Sequence, residues 1–138
     1  MQITEPMNAN IIVYPELSYK IVGVLFDAHN KLGNRYQEKY YQRAIGIAFN
    51  NAGISYKSQL SVPLQFADQP IGKYQLDFLV ENKIVLELKA VPRLTPIDFK
   101  QVSAYLKAYD LKLGILANFR PAKLEHHRIL NKFASIRN

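Results

Sequence analysis

Apolar residues in the first third of the chain recur every three or four positions, which predicts two helices. The first covers residues 15–32, with Pro15 in its first turn and Gly33 at its end. Its apolar stripe comprises Leu17, Ile21, Leu25, Ala28 and Leu32. The second is predicted over residues 35–51 and stops at Gly53. Its stripe comprises Tyr41, Ile45, Ala48, Phe49 and Ala52.

From residue 55 onward the apolar positions are typical of β-strands. The predicted strands cover residues 55–66, 73–80 and 83–90. Pro63 favours an edge strand or an interrupted strand here, because proline cannot donate a ladder hydrogen bond. A turn over residues 67–70 separates the first two strands. The polar tip Glu81-Asn82-Lys83 joins the last two into a β-hairpin.

Three further elements complete the expected order. Thr95-Pro96-Ile97-Asp98 is typical of a helix start, and that helix should reach Tyr109. Residues 111–119 are apolar along most of their length, which indicates an interior strand. Residues 121–133 are interpreted as a final basic helix. The order α-α-β-β-β-α-β-α predicts one α/β domain over residues 14–138, with a mixed sheet of about four strands, preceded by an N-terminal arm over residues 1–13.

Composition narrows the function classes. The 18 lysines and arginines exceed the 11 acidic residues and give a net charge of +7, which favours polyanionic partners, although the same charge can serve solubility alone. The absence of cysteine excludes disulfides, cysteine-ligated zinc and thiol catalysis. No secretory signal and no bilayer-length apolar run is visible, so we expect a cytoplasmic protein with no membrane partner.

The predicted hairpin brings acidic residues together. If Asn82 is the centre of the loop, Asp77 faces Glu87, and Lys89 lies on the same face of its strand as Glu87. Directly opposed Cβ atoms are about 4.5–5.5 Å apart, where like charges destabilise the pair. One carboxyl group could be protonated, or a divalent cation such as Mg²⁺ could lie between the two. The alternative is a solvent-facing strand pair in which Lys89 neutralises Glu87.

Two helical features point toward the same patch. Glu38 falls on the apolar face of the second helix, three residues before Tyr41, so it is either an edge residue or directed at a partner. Gln101 and Tyr105 are four residues apart and therefore share one face of the helix that follows the acidic strand. The alternative for this pair is surface or core-edge decoration.

These residues resemble the motifs of a known group, the PD-(D/E)XK nuclease superfamily, and within it the GxxExxY proteins. The resemblance covers residues 14–130. Its elements are the aspartate Asp77, the (D/E)XK element Glu87-Leu88-Lys89, the RecB-like QxxxY element from Gln101 to Tyr105, and the ExxY element from Glu38 to Tyr41. Two positions depart from the pattern. Arg35 stands where the first glycine is expected, and Leu76 stands before Asp77 where proline is expected.

The resemblance implies a restriction-endonuclease-like core and a Mg²⁺-dependent nuclease that hydrolyses DNA with little sequence preference, with Mn²⁺ as a substitute ion. The implied metal ligands are Asp77, Glu87, the Leu88 carbonyl and Glu38, and the implied catalytic set adds Lys89 and Gln101. The ion would activate a water molecule and polarise the scissile phosphate. Lys89 would offset transition-state charge. Substrate contacts are expected from Tyr41, Tyr105, Arg93 and Lys100.

Other functions are compatible with the same residues. The chain could be a non-cleaving nucleic-acid-binding module that keeps the fold, because a fold does not determine a function. It could also be a protein-interaction module, with a homodimer as one form of assembly, in which the polar cluster is structural.

Overall fold

Three helices and five strands follow one another between residues 12 and 137, the part of the chain that the computed structural model describes. Their bounds are α1 Pro15–Leu32, α2 Glu38–Ala52, β1 Tyr56–Phe66, β2 Gln69–Val80, β3 Ile84–Lys89, α3 Pro96–Ala108, β4 Leu113–Asn118 and β5 Glu125–Leu130. The predicted arm over residues 1–13 lies outside the described residues except for its last two positions, and Val13 packs in the core. No helix within the described range is long and apolar enough to cross a membrane.

The five strands form one sheet in the order β1-β2-β3-β4-β5. Neighbouring strands are antiparallel except for β3 and β4, which run parallel and are connected through α3. This mixed sheet, flanked by helices, confirms the expected α/β class and is consistent with a restriction-endonuclease-like fold. The edge position of β1, which contains Pro63, is also as predicted.

The prediction of a basic helix over residues 121–133 is wrong, because its central part is the edge strand β5. Every residue of β4 is buried, and β5 supplies the ladder hydrogen bonds on one side of that strand. The alternation of a strand sends His126 toward Phe26 and His127 toward Phe99. The sheet therefore has five strands rather than about four.

The helix boundaries follow from local signals. The predicted bounds of α1 are confirmed at both ends, and Gly33 caps it with φ 78°. The second helix begins at Glu38, three residues later than predicted, and ends as expected at Gly53 with φ 69°. At the start of α3, Thr95 and Asp98 form a capping box.

The sheet separates two apolar clusters. One lies between the sheet and the first two helices, and its strand residues include Phe78, Val80, Leu86 and Leu88. The other lies between the sheet and α3, and it includes Leu76, Val85, Val102 and Tyr105. The alternation of β3 between these clusters places Glu87 and Lys89 on the α3 face of the sheet.

Candidate active site

The β-sheet ladder opens at Asp77. The pairing of β2 with β3 ends at Phe78 opposite Leu86, which is the register predicted from a loop centred on Asn82. On the other side of β2, Gln59 should lie level with Asp77 but is left out of the ladder and has a left-handed backbone with φ 54°. The backbone of Asp77 is therefore released from regular pairing on both sides.

The side-chain alternation of β2 also slips at this point. Phe78 and Val80 pack in the cluster under α1 and α2, as alternation requires. In a regular strand, Leu76 would lie on the same face as Phe78, and Asp77 would lie on the opposite face. Leu76 instead packs in the cluster beside α3, on the face that Asp77 would otherwise occupy. Asp77 is thus free to lie between the two layers, at the gap where β2 and β3 separate.

The two carboxylates of the gap accept hydrogen bonds from each other's strand. Glu87 Oε1 accepts from the backbone amide of Asp77 at 3.0 Å. Asp77 Oδ2 accepts from the backbone amide of Leu88 at 2.7 Å. These reciprocal bonds replace the missing ladder bonds and fix both side chains in place. Asp77 and Glu87 do face each other as predicted, although they are not a regular cross-strand pair.

Lys89 lies between two acidic residues. Its Nζ is 3.4 Å from Glu87 Oε2 and 3.7 Å from Asp98 Oδ1. Asp98 uses its other oxygen to cap α3, accepting from the amide of Thr95 at 2.8 Å. The sequence pattern predicts only this capping role for Asp98. Its ion pair with Lys89 shows that the first turn of α3 lies close to the end of β3.

The N-terminal end of α2 covers the gap with a carboxylate and an amide, Glu38 and Gln42. Gln42 Nε2 donates to Asp77 Oδ1 at 2.6 Å and to Glu38 Oε2 at 2.9 Å. Gln42 was not among the predicted site residues. Its position four residues after Glu38, and hence on the same helical face, was the available signal. The acidic cluster, as used below, consists of Glu38, Asp77, Glu87 and Asp98 with the single cation Lys89.

Burial and mutual repulsion shift the protonation of this cluster. Burial and the Asp77 charge raise the pKa of Glu87 to about 8. Burial, together with the Glu38 charge, raises the pKa of Asp77 to about 6 despite the hydrogen bond from Leu88. Burial also raises the pKa of Glu38. For Lys89, burial lowers the pKa, but the surrounding carboxylates outweigh it and the net shift is upward.

A model of the PD-(D/E)XK nuclease superfamily matches residues 15–129 of the chain. The protein belongs to the PD-(D/E)XK nuclease superfamily. No curated protein and no solved structure gave a significant match. Nucleases of this superfamily generally use divalent metal ions to hydrolyse nucleic acids, so the acidic cluster can be tested against that chemistry.

The donor set of this superfamily member fits a hard divalent cation. Carboxylate and carbonyl oxygens are the ligands that Mg²⁺ prefers. Burial raises the pKa values of Asp77 and Glu87 first of all, and the neighbouring acids Glu38 and Asp77 raise them further, so a cation bound here would favour the ionised forms of both groups. Within residues 12–137, no three acidic or histidine side chains already converge as a metal cage. In each of the two carboxylates, one oxygen accepts a hydrogen bond from a backbone amide. The other oxygen faces a side chain, Gln42 in the case of Asp77 and Lys89 in the case of Glu87.

Two predicted substrate-binding residues of the PD-(D/E)XK protein lie in its core. Tyr41 is 0% exposed, stacks on Phe119 at 4.3 Å between ring centroids, and donates to the Gly33 carbonyl. Tyr105 is 2% exposed and stacks on Tyr109. Both rings pack in the apolar clusters on either side of the sheet and expose almost no surface, so this structure gives no support to the predicted contact of either ring with a substrate.

The remaining predicted residues differ in their distance from the cluster. Gln101 is half-buried one turn after Asp98 on α3, and its backbone carbonyl accepts from the Tyr74 hydroxyl. Lys100 is exposed and lines a groove of about 380 Å³ against residues 130–133, on the other side of α3 from Asp98. Arg93 is exposed in the loop before α3. The structure therefore brings together Glu38, Asp77, Glu87 and Lys89, with Gln101 beside them, and leaves Lys100 apart.

Proposed function

We propose that this protein is a Mg²⁺-dependent nuclease that hydrolyses phosphodiester bonds in DNA with little sequence preference, and that Mn²⁺ can replace Mg²⁺. The observation that carries the proposal is the buried Asp77–Glu87 pair, with Lys89 beside it and both acidic pKa values raised. Two carboxylates held this close need a positive partner to remain ionised together at neutral pH.

The chain's own oxygens would hold the ion. Asp77 and Glu87 are the main ligands, and the Leu88 carbonyl and Glu38 complete the proposed set. When bound, a divalent cation activates water and neutralises charge on the scissile phosphate. Gln42 holds Glu38 and Asp77 in a fixed relation through its amide nitrogen. Such supporting contacts orient ligands and affect metal affinity.

Lys89 has an electrostatic role in this proposal. Its pKa is shifted upward, so it remains a cation at neutral pH and cannot accept a proton from water. Fixed beside Glu87 and Asp98, it can stabilise the negative charge that develops on a reacting phosphate. Gln101, one turn after Asp98, would position substrate or ligands from the α3 side.

The test is a cleavage assay with labelled single- and double-stranded DNA and with RNA, in Mg²⁺, Mn²⁺ or EDTA. We expect cleavage of DNA that needs the metal, and a loss of at least about 100-fold in Asp77→Asn and Lys89→Met, in line with removal of one essential electrostatic group. Asp68→Asn, in the exposed β1–β2 turn, is the matched control and should cleave like the parent.

Each other result has a distinct meaning. Cleavage that persists in both variants would place the activity elsewhere or in a contaminant. Cleavage of RNA but not of DNA would show that the proposed substrate is wrong. If nothing is cut while DNA still binds, the protein is a binding module that has kept the fold. A narrow consensus among the cleavage ends would contradict the expected lack of sequence preference.

A further inference from the structure

The second helix presents two chemically different faces next to each other. Glu38 and Gln42 face the acidic cluster. Lys39 and Arg43, each one position further along, form a parallel ridge beside them, because residues four apart are neighbours on a helix. Neither cation takes part in an ion pair among residues 12–137. The ridge therefore carries positive charge that the protein itself does not neutralise.

Two exposed tyrosines continue this ridge. Tyr40 is 43% exposed, and Tyr36, just before α2, is 48% exposed. Their ring centroids are 6.1 Å apart in an edge-to-face arrangement. Lys39 Nζ lies 5.2 Å and Arg43 Cζ 5.7 Å from the centroid of the Tyr40 ring. We call these four residues, Tyr36, Lys39, Tyr40 and Arg43, the basic–aromatic ridge.

The cations of this ridge also border a cleft that reaches the acidic cluster. The cleft has a volume of about 480 Å³ and runs between α2 and β1. Its lining includes Lys39, Gln42, Arg43, Asn50, Gln59 and Asp77. Gln59 enters it at the point where β1 leaves the ladder. One open path thus connects the ridge with the carboxylate proposed to hold the metal.

We propose that the basic–aromatic ridge binds a single-stranded nucleic acid and leads its backbone through this cleft to Asp77. Lys39 and Arg43 would contact phosphates, and Tyr40 and Tyr36 would stack on unpaired bases. This inference rests on the proposed nuclease function, which supplies the reason for a polyanion at the acidic cluster. Beyond that function, it specifies that the substrate is single-stranded and that its backbone reaches Asp77 through the cleft.

The chemistry of the ridge selects the single strand over the duplex. Exposed aromatic rings bind bases by stacking, which requires base faces that a duplex buries in its own stack. A base on Tyr40 would displace a cation from the ring toward the adjacent phosphate. The exchange is favourable because an exposed cation–π contact is weaker than a base–aromatic stack. A ridge that served duplex DNA would need only the cations.

The test measures binding without cleavage. The full chain in EDTA is titrated into fluorescently labelled oligothymidylate and into a labelled DNA duplex, and anisotropy gives Kd at several salt concentrations. We expect Tyr40→Ala to weaken single-strand binding about tenfold, within the range for loss of one stacked base. Tyr40→Phe, which keeps the ring, should bind like the parent. Lys39→Ala and Arg43→Ala should each lower the slope of log Kd against log salt by about 0.7.

A matched control lies on another surface. Phe133 is 84% exposed, with Lys132 Nζ 5.5 Å from its ring centroid, beside α3 and outside the cleft. The double variant Lys132→Ala/Phe133→Ala removes the same kinds of group as Lys39→Ala/Tyr40→Ala, but should leave both affinities unchanged. Circular dichroism would verify that the variants are folded.

The outcomes decide between defined alternatives. Unchanged single-strand binding in Tyr40→Ala would overturn the proposal. Equal losses of single-strand and duplex binding in Tyr40→Ala would also overturn it, because the ring would then not act by stacking on unpaired bases. An equal loss in the control pair would overturn it as well, because it indicates attraction by net charge alone. The binding assay contains no metal and is therefore independent of cleavage. If the parent binds through the ridge in EDTA but cleaves nothing in Mg²⁺ or Mn²⁺, the nuclease function is refuted and the ridge is not.

Discussion

Gln42 Nε2 lies 2.6 Å from Asp77 Oδ1 and thereby ties the N-terminal end of α2 to the point where β2 separates from β3. The same nitrogen donates to Glu38 Oε2. A neutral amide at this position supplies hydrogen-bond donors to two acidic groups without adding a charge of its own. The cluster can therefore keep its negative excess, which is the property that a cation site needs.

Replacement of this amide by a carboxylate tests the relationship. Gln42→Glu would place a further acid against Asp77 and remove the donor, so we expect the free energy of unfolding in EDTA at pH 8 to fall by about 1–3 kcal/mol. Mg²⁺ should restore part of that loss, since an ion that binds only the folded state stabilises it. Urea unfolding with and without Mg²⁺ measures both effects.

Gln65→Glu is the control for this experiment, because Gln65 is exposed on the edge strand β1. Its effect should remain within about 0.5 kcal/mol, as for most surface changes. If Gln42→Glu were equally harmless at pH 8, the amide of Gln42 would not be holding two ionised carboxylates.

Lys89 offers a second test, since it is the cation of the acidic cluster. Lys89→Met keeps the aliphatic stem but leaves Glu87 and Asp98 without their ion-pair partner. We expect the free energy of unfolding at pH 8 in EDTA to fall by about 2 kcal/mol, less than for a fully buried pair because Lys89 keeps some exposure. Lys89→Arg should lose much less. Equal losses in both variants would attribute the effect to packing instead of charge.

The packing of α3 on the sheet depends on one small residue. A Cβ atom added to Gly114 of β4 would lie 2.5 Å from Val102 Cγ1 on α3. Gly114→Ala should therefore cost about 1–3 kcal/mol of stability through overpacking. Val102→Ala removes the clashing methyl group, so the double variant should be more stable than the sum of the single effects predicts.

The control for this cycle is Gly23→Ala on α1, where an added Cβ meets no atom within 4 Å. It should stabilise the protein by up to about 1 kcal/mol, because alanine favours helix over glycine. Thermal or urea unfolding of the four proteins of the cycle gives the coupling energy. Additive values would mean that α3 shifts to accommodate the new methyl group.

Periodicity predicted the elements whose burial pattern is local. The bounds of α1 follow from its apolar stripe and its Pro15 and Gly33 signals. The register of the β2–β3 hairpin follows from a three-residue tip, in which Glu81 and Asn82 adopt positive φ. That register is sufficient by itself to predict that Asp77 and Glu87 lie together.

Features that depend on distant partners could not be predicted in this way. Glu125–Leu130 is a strand because β4 needs a neighbour, and its own short apolar stretch, Ile129-Leu130, is too brief to show a period. The burial of Tyr41 depends on Phe119, far along the chain. Gln42 shares a helical face with Glu38, but this spacing alone does not identify the acid of β2 that its amide contacts.

The pH dependence of stability follows from the raised pKa values of the acidic cluster. The pKa of Glu87 is raised from 4.5 to about 8, and that of Asp77 from 3.8 to about 6. The folded protein therefore binds more protons than the unfolded chain between about pH 4 and pH 8. Stability contributed by these groups is present below pH 4 and is lost as the pH rises through this window.

Glu87→Gln should remove most of this dependence. The variant cannot ionise at this position, so in EDTA it should be more stable than the parent at pH 8 and similar to it near pH 5. The difference at pH 8 should reach several kcal/mol, because a tenfold change in an ionisation constant corresponds to about 1.4 kcal/mol. Asp68→Asn, at an exposed turn, should follow the parent at every pH. Urea unfolding from pH 5 to pH 9 measures the three curves. A parent whose stability stays flat or rises between pH 5 and pH 8 would show that Asp77 and Glu87 ionise without mutual cost, and would remove the electrostatic reason for a cation at the gap.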